Sequence, residues 1–139
     1  MQYMSDRGWE KTINGYKEEI RVWFSSVEIE KQPPDVQHTR RRFRAHILAM
    51  LDLIEQIQAQ PEFSDIVLST WHAGLFLGIA GKFTRVGIWY EATEDSYYIF
   101  GDGNLSVSTS ADEQVSVGTV EEAIDILKHR LRELRDENS

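Results

Sequence analysis

His72 is the histidine of this 139-residue chain best placed to do chemistry. It follows Trp71 and precedes Ala73-Gly74, at the expected end of a strand. A loop-borne imidazole titrates near neutrality and can serve as a general base or as a partner contact. The plainer reading is a turn histidine with no chemistry. Four carboxylates, Glu91, Glu94, Asp95 and Asp102, gather around one end of an expected hairpin. Paired carboxylates can move protons, but acidic turns also serve solubility. The other histidines fall in no H-x-x-x-H or H-E-x-x-H arrangement. His38 and His46 are two helical turns apart, about 12 Å of rise, too far for one metal ion. His129 follows Asp125 by one turn, the spacing of a surface pair.

The other candidate motifs fail on particular residues. Asp102, Asn104, Ser106 and Glu113 match four ligand positions of a calcium loop, but Val107 stands where its sharp turn needs glycine. The neighbouring segments read as strands, so the expectation there is an ordinary hairpin. No serine sits in a nucleophile elbow, and no glycine-rich phosphate loop is present. Cysteine is absent, which excludes disulfides, thiolate metal sites and a cysteine nucleophile and fits a reducing cytoplasm. No cofactor is expected.

Charge narrows the partners. The formal net charge is −8, which opposes general binding to phosphate backbones and speeds encounter with a basic protein. The one basic concentration is Arg40-Arg-Arg42-Phe43-Arg44. On a helix these arginines spread over more than one face and read as a solvated surface paired with nearby carboxylates. The start of the chain turns polar at once, and no apolar run approaches a membrane span, so neither a leader nor a membrane partner is expected.

The elements that would position these groups follow from periodicity. Trp9, Ile13, Tyr16, Ile20, Trp23, Phe24 and Val27 recur at helical spacing. Asn14-Gly15 interrupts the run, so the helix is expected over Asn14–Phe24, with Asn14 as its cap. A strand over residues 16–29 is the rival reading. A long helix is expected over Asp35–Gln60, with Leu48 and Leu53 widening its apolar stripe. Strands are expected at Ile66–Trp71, Leu75–Ala80, Thr84–Glu91, Tyr97–Gly101, Leu105–Ser110 and Val115–Val117, from two-residue alternation between turn residues. Thr119-Val-Glu-Glu122 is a capping box that opens a last helix with Val120, Ala123, Ile124, Leu127, Leu131 and Leu134 on its apolar stripe. The fold class is therefore α+β, one domain over 1–139. An antiparallel meander of five or six strands is packed on one face by N-terminal helices and a C-terminal helix, and residues 1–8 and 136–139 are expected to be flexible.

Trp71, Trp89, Tyr90 and Tyr98 place aromatics on both faces of that sheet. One face serves the core, and the other is a binding surface unless a helix or a second copy of the chain covers it. The segments Arg85–Tyr90, Asp95–Phe100 and Gly118–Leu127 resemble the small acidic immunity proteins encoded beside bacterial polymorphic toxins. The resemblance covers about the second half of the chain and rests on its general plan, so it carries no site residues over. It implies binding and occlusion of a toxin domain without catalysis. The expected function is non-enzymatic protein binding through Trp71, His72, Trp89, Tyr90, Glu94, Asp95, Tyr98 and Asp102. A small-molecule or enzymatic site built on His72 and a regulatory homo-oligomer are the alternatives.

Overall fold

Among the described residues, hydrophobic alternation builds a five-stranded antiparallel meander, ordered β1 (Ile66–Trp71), β2 (Gly74–Ile79), β3 (Arg85–Glu91), β4 (Ser96–Phe100) and β5 (Val115–Val117). The computed structural model describes residues 8–81, 85–100 and 115–136. The strand expected over Leu105–Ser110 and the calcium-loop residues Asp102 to Glu113 lie outside these. The register places Thr70, Leu75, Ile88, Ile99 and Val115 in one row across the sheet, with Leu68, Leu77 and Val86 in the next row on the same face. That face is the core: Leu75, Leu77, Val86, Ile88 and Ile99 have no solvent exposure.

Helices α1 (Trp9–Val22), α2 (Ser26–Glu30) and α3 (Pro34–Gln58) precede the sheet, and α4 (Val120–Asp136) follows it. The α+β class and the antiparallel meander between N-terminal and C-terminal helices are as the sequence implied. α3 contributes Ile47, Met50, Leu53, Ile54 and Ile57 to the core, and α4 contributes Ala123, Ile124, Leu127, Leu131 and Leu134. Leu53 is enclosed, but Leu48 is 41% exposed, so the stripe is narrower than expected. The last turn of α4 is fastened by Arg135, which donates to both carboxylate oxygens of Asp65 at 2.7 and 3.1 Å and to the Glu62 carbonyl at 2.9 Å.

The N-terminal region departs from expectation. α1 starts at Trp9 and runs through Asn14-Gly15, and residues 16–29 hold no strand. Trp9 explains this: its side chain is buried and its indole N–H donates to the Ile66 carbonyl at 2.9 Å, which fixes a turn before Asn14 in the helix. Gly8, expected to be loose, lies against the β1 backbone. Ser25 caps α2 by accepting from the Glu28 amide at 3.2 Å. At the start of α4 the Glu122 amide donates to the Thr119 hydroxyl at 3.2 Å, as the capping box requires. The Glu122 carboxylate, however, accepts from that same hydroxyl at 3.0 Å.

On the opposite sheet face, Phe76 and Phe100 lean over Gly87. A Cβ there would lie 2.6 Å from one ring and 2.8 Å from the other. Glycine lets these two rings pack onto the backbone, and Phe76 is only 6% exposed.

Candidate functional site

The turn after β1 has two central residues, His72 at φ 52° and Ala73 at φ 68°. Positive φ at both is the type I′ hairpin shape, usually made with Asn-Gly because side chains crowd the left-handed region. Each non-glycine residue held there costs on the order of 1 kcal/mol, so the surrounding structure must impose the turn. Two side chains from different helices do so. The Tyr16 hydroxyl of α1 donates to the Ala73 carbonyl at 2.9 Å, and His46 Nε2 of α3 lies 2.8 Å from the same oxygen.

His46 is the centre of this end of the sheet. Its Nδ1 lies 3.0 Å from the Tyr90 carbonyl of β3, so the ring bridges the backbone of the β1–β2 turn and that of β3. It is 2% exposed and stacks on Trp89 at 3.8 Å between centroids. Phe43, one turn earlier on α3, meets Trp89 edge-on at 6.1 Å and stacks on Phe24 at 5.4 Å. Burial holds the His46 imidazole below its ordinary range, opposed by the Ala73 and Tyr90 carbonyls and by the charges of Glu91 and Glu19. A neutral imidazole has a single N–H. One of its two contacts is then a hydrogen bond, and the other sets a lone pair against a carbonyl oxygen. The Tyr16 phenol is pushed well up, first by burial and then by Glu19.

Beyond this buried clamp, the β3–β4 turn carries an acidic surface tied down by tyrosines. The Tyr90 hydroxyl donates to Asp95 Oδ1 at 2.6 Å, and the Tyr98 hydroxyl donates to the Glu94 carboxylate. The Asp95 bond, with some burial and the Asp95 charge, raises Tyr90 to about 12. Tyr97 packs on Tyr90 at 5.1 Å. Asp95 itself takes φ 51°, a conformation aspartate tolerates better than most residues. Glu91 is bonded to the Thr93 hydroxyl at 2.9 Å and to Arg42 of α3 at 3.1 Å, and these bonds, Thr93 foremost, hold it below the usual carboxylate range.

The residues chosen from sequence thus separate. His72, Tyr90, Glu94, Asp95 and Tyr98 lie at or next to turns at one end of the sheet, since the meander returns its odd turns to the same side. Trp71 closes β1, opposite Gly74. Trp89 is half-buried against His46 and Phe43, so it is a packing residue as much as a surface one. Asp102 lies outside the described residues. Sequence reasoning passed over His46 and Tyr16 as parts of the site. The signal was present in the apolar stripes of their own helices, where a histidine and a tyrosine occupied buried positions and needed polar partners. His129 pairs with Glu133 at 3.7 Å rather than with Asp125, while in the basic run Arg40 bonds the Trp23 carbonyl, Arg41 bonds Gln37 and Arg42 bonds Glu91. Among the described residues no group of three His, Asp or Glu could hold a metal ion, and no helix is long and apolar enough to cross a membrane.

No family model, curated protein or solved structure matches this chain.

Proposed function

We propose that the chain is a non-enzymatic protein-binding domain whose contact surface is the acidic, tyrosine-bearing end of the sheet and whose partner is a basic protein. The observation that carries this reading is the pairing of two exposed carboxylates with two tyrosine hydroxyls at the β3–β4 turn, Asp95 with Tyr90 and Glu94 with Tyr98. These pairs hold both side-chain types in place before a partner arrives, which lowers the ordering cost of binding. The carboxylates, on a chain of net charge −8, would steer a cationic surface. The tyrosines would supply the desolvated centre. Neutralising a bacterial toxin domain by occlusion, the function implied by the resemblance to immunity proteins, is one form of this activity.

The test is affinity capture with the chain and with a Glu94→Lys/Asp95→Lys variant, at low salt and at about 0.5 M salt, where charges are screened within a few ångströms. A basic protein held by the unmodified chain, released by salt and not held by the variant supports the proposal. Equal capture by both chains would remove the hairpin from the interface.

A further inference from the structure

Among the described residues β1 is an edge strand, and α1 lies along the unpaired side of its backbone. The two-residue turn makes Trp71 and Gly74 the hydrogen-bonded pair that closes the hairpin, so Val67 and Ser69 also turn their amides and carbonyls toward β2. Ile66, Leu68 and Thr70 therefore turn theirs outward. Among the described residues, α1 meets this edge through three contacts near its ends: the Trp9 indole takes the Ile66 carbonyl, Gly8 presses on the Leu68 carbonyl, and Tyr16 takes the carbonyl of Ala73 in the turn. Between them the helix presents Thr12, itself buried, and the exposed Gly15. A Cβ at Gly15 would meet nothing within 4 Å. The result is a cleft of about 530 Å³ between α1 and the Leu68–Thr70 edge.

The rim of this cleft is charged with opposite signs. Lys11 stands toward its Leu68 end and Glu19 toward its Ala73 end, both exposed. Among the described residues neither has an ion-pair partner. They are eight residues apart on one helix, about 12 Å of rise.

We infer that this cleft binds a short free peptide in extended conformation, with its terminal carboxylate at Lys11 and its terminal ammonium at Glu19. The charges set a direction. A chain running from Glu19 to Lys11 travels from the Ala73 end toward Leu68, antiparallel to β1, and so continues the all-antiparallel sheet. Thr70 exchanges both of its backbone hydrogen bonds with one peptide residue, and the Leu68 amide supplies a further donor, the mode by which strands add to open sheet edges. Three residues span about 10 Å, close to the ~12 Å of helix rise between Glu19 and Lys11. The Gly8 and Tyr16 contacts close the ends of the row, so the site selects short peptides over an interior segment of a long chain. This site lies on α1 and the outer edge of β1 and uses none of the hairpin carboxylates, so it stands independently of the protein-binding reading.

The test is a titration of the isotope-labelled chain with trialanine, followed by backbone amide resonances, beside N-acetyl-trialanine-amide, which lacks both terminal charges. Saturable shifts at Leu68, Ser69 and Thr70 are expected, with the blocked peptide at least tenfold weaker. Gly15→Leu fills the cleft from an exposed helical position that also favours leucine over glycine, so it keeps the fold and abolishes the shifts. Lys11→Ala and Glu19→Ala each weaken trialanine severalfold. Absence of saturable shifts on the unmodified chain, equal binding of the blocked peptide, or full binding by Gly15→Leu would each overturn the inference. The Glu94→Lys/Asp95→Lys variant binds trialanine unchanged, which separates failure here from failure of the hairpin reading.

Discussion

His46 Nε2 lies 2.8 Å from the carbonyl oxygen of Ala73, a residue held at φ 68° in a turn with no glycine at its two central positions. The helix histidine and the strained turn depend on each other. The ring gains a polar partner in a site where an unpaired nitrogen would cost about 1–3 kcal/mol, and the turn gains an anchor that offsets its backbone strain. His46→Ala removes the anchor, leaves two carbonyls facing a cavity and strips one face from Trp89. We expect a loss of about 2–4 kcal/mol, read as a fall in the urea midpoint. An unchanged midpoint would mean the turn is held without the histidine.

The same burial gives the pH dependence its sign. The imidazole is held below the ordinary 6.5 in the folded chain. As pH falls through 6.5, the unfolded chain takes up the proton first, so the stability present above that value is lost on acidification. His46→Ala should flatten this part of the stability profile. Denaturation curves at pH 7.5 and at progressively lower pH check it, and a profile equally steep in the variant would assign the acid loss to other groups.

The turn sequence invites the opposite experiment. Replacing His72-Ala73 with Asn-Gly supplies the residues a type I′ turn favours. The double substitution should stabilise by on the order of 1 kcal/mol, less the added chain entropy of glycine, and should lessen the penalty of His46→Ala in a double-mutant cycle. Strictly additive changes in thermal midpoint would show that turn and clamp are not coupled.

These particulars also mark what could be read in advance. β1 and β5 fell on the expected residues because alternation is a local signal; β3 ends at Glu91 as expected, β2 lies one residue earlier and β4 begins one residue earlier. The start of α1 did not fall as expected, because Asn14-Gly15 is a turn signal only in isolation. A long-range indole bond from Trp9 to Ile66 overrode it. The carboxylates and tyrosines of the β3–β4 turn were legible as a group, since hairpin neighbours are neighbours in sequence. The clamp was not, because it joins residues 16, 46, 73 and 90, which only the packing of two helices on the sheet end brings together.

Gly87 tests the outer face of the sheet. Phe76 and Phe100 occupy the space a side chain would need, within 3 Å of a Cβ on either side. Gly87→Ala forces both rings off the backbone and should destabilise by about 1–3 kcal/mol. Combining it with Phe76→Ala removes one of the clashes, so the double variant should lose less than the sum of the two single changes. Full additivity in urea denaturation would show that the rings give way freely.

Tyr90 and Asp95 provide a spectroscopic reading of the hairpin surface. The phenol is raised to about 12 chiefly because its hydroxyl donates to the Asp95 carboxylate, which holds the proton in place and repels the phenolate. Asp95→Asn removes the charge while keeping an acceptor, so Tyr90 should titrate closer to the ordinary 10.0. Tyr98, bonded to Glu94 instead, should keep its own shift in that variant. Ultraviolet difference titration of single-tyrosine changes separates the two residues. If Asp95→Asn leaves Tyr90 where it was, the turn does not hold the pair in solution, and the preorganised surface on which the binding proposal rests is lost. If Tyr90 moves and Tyr98 does not, the two pairs are independent elements. Charge reversal at Glu94 and Asp95 should then slow association with a basic partner, whereas trimming Tyr98 to alanine should speed its dissociation.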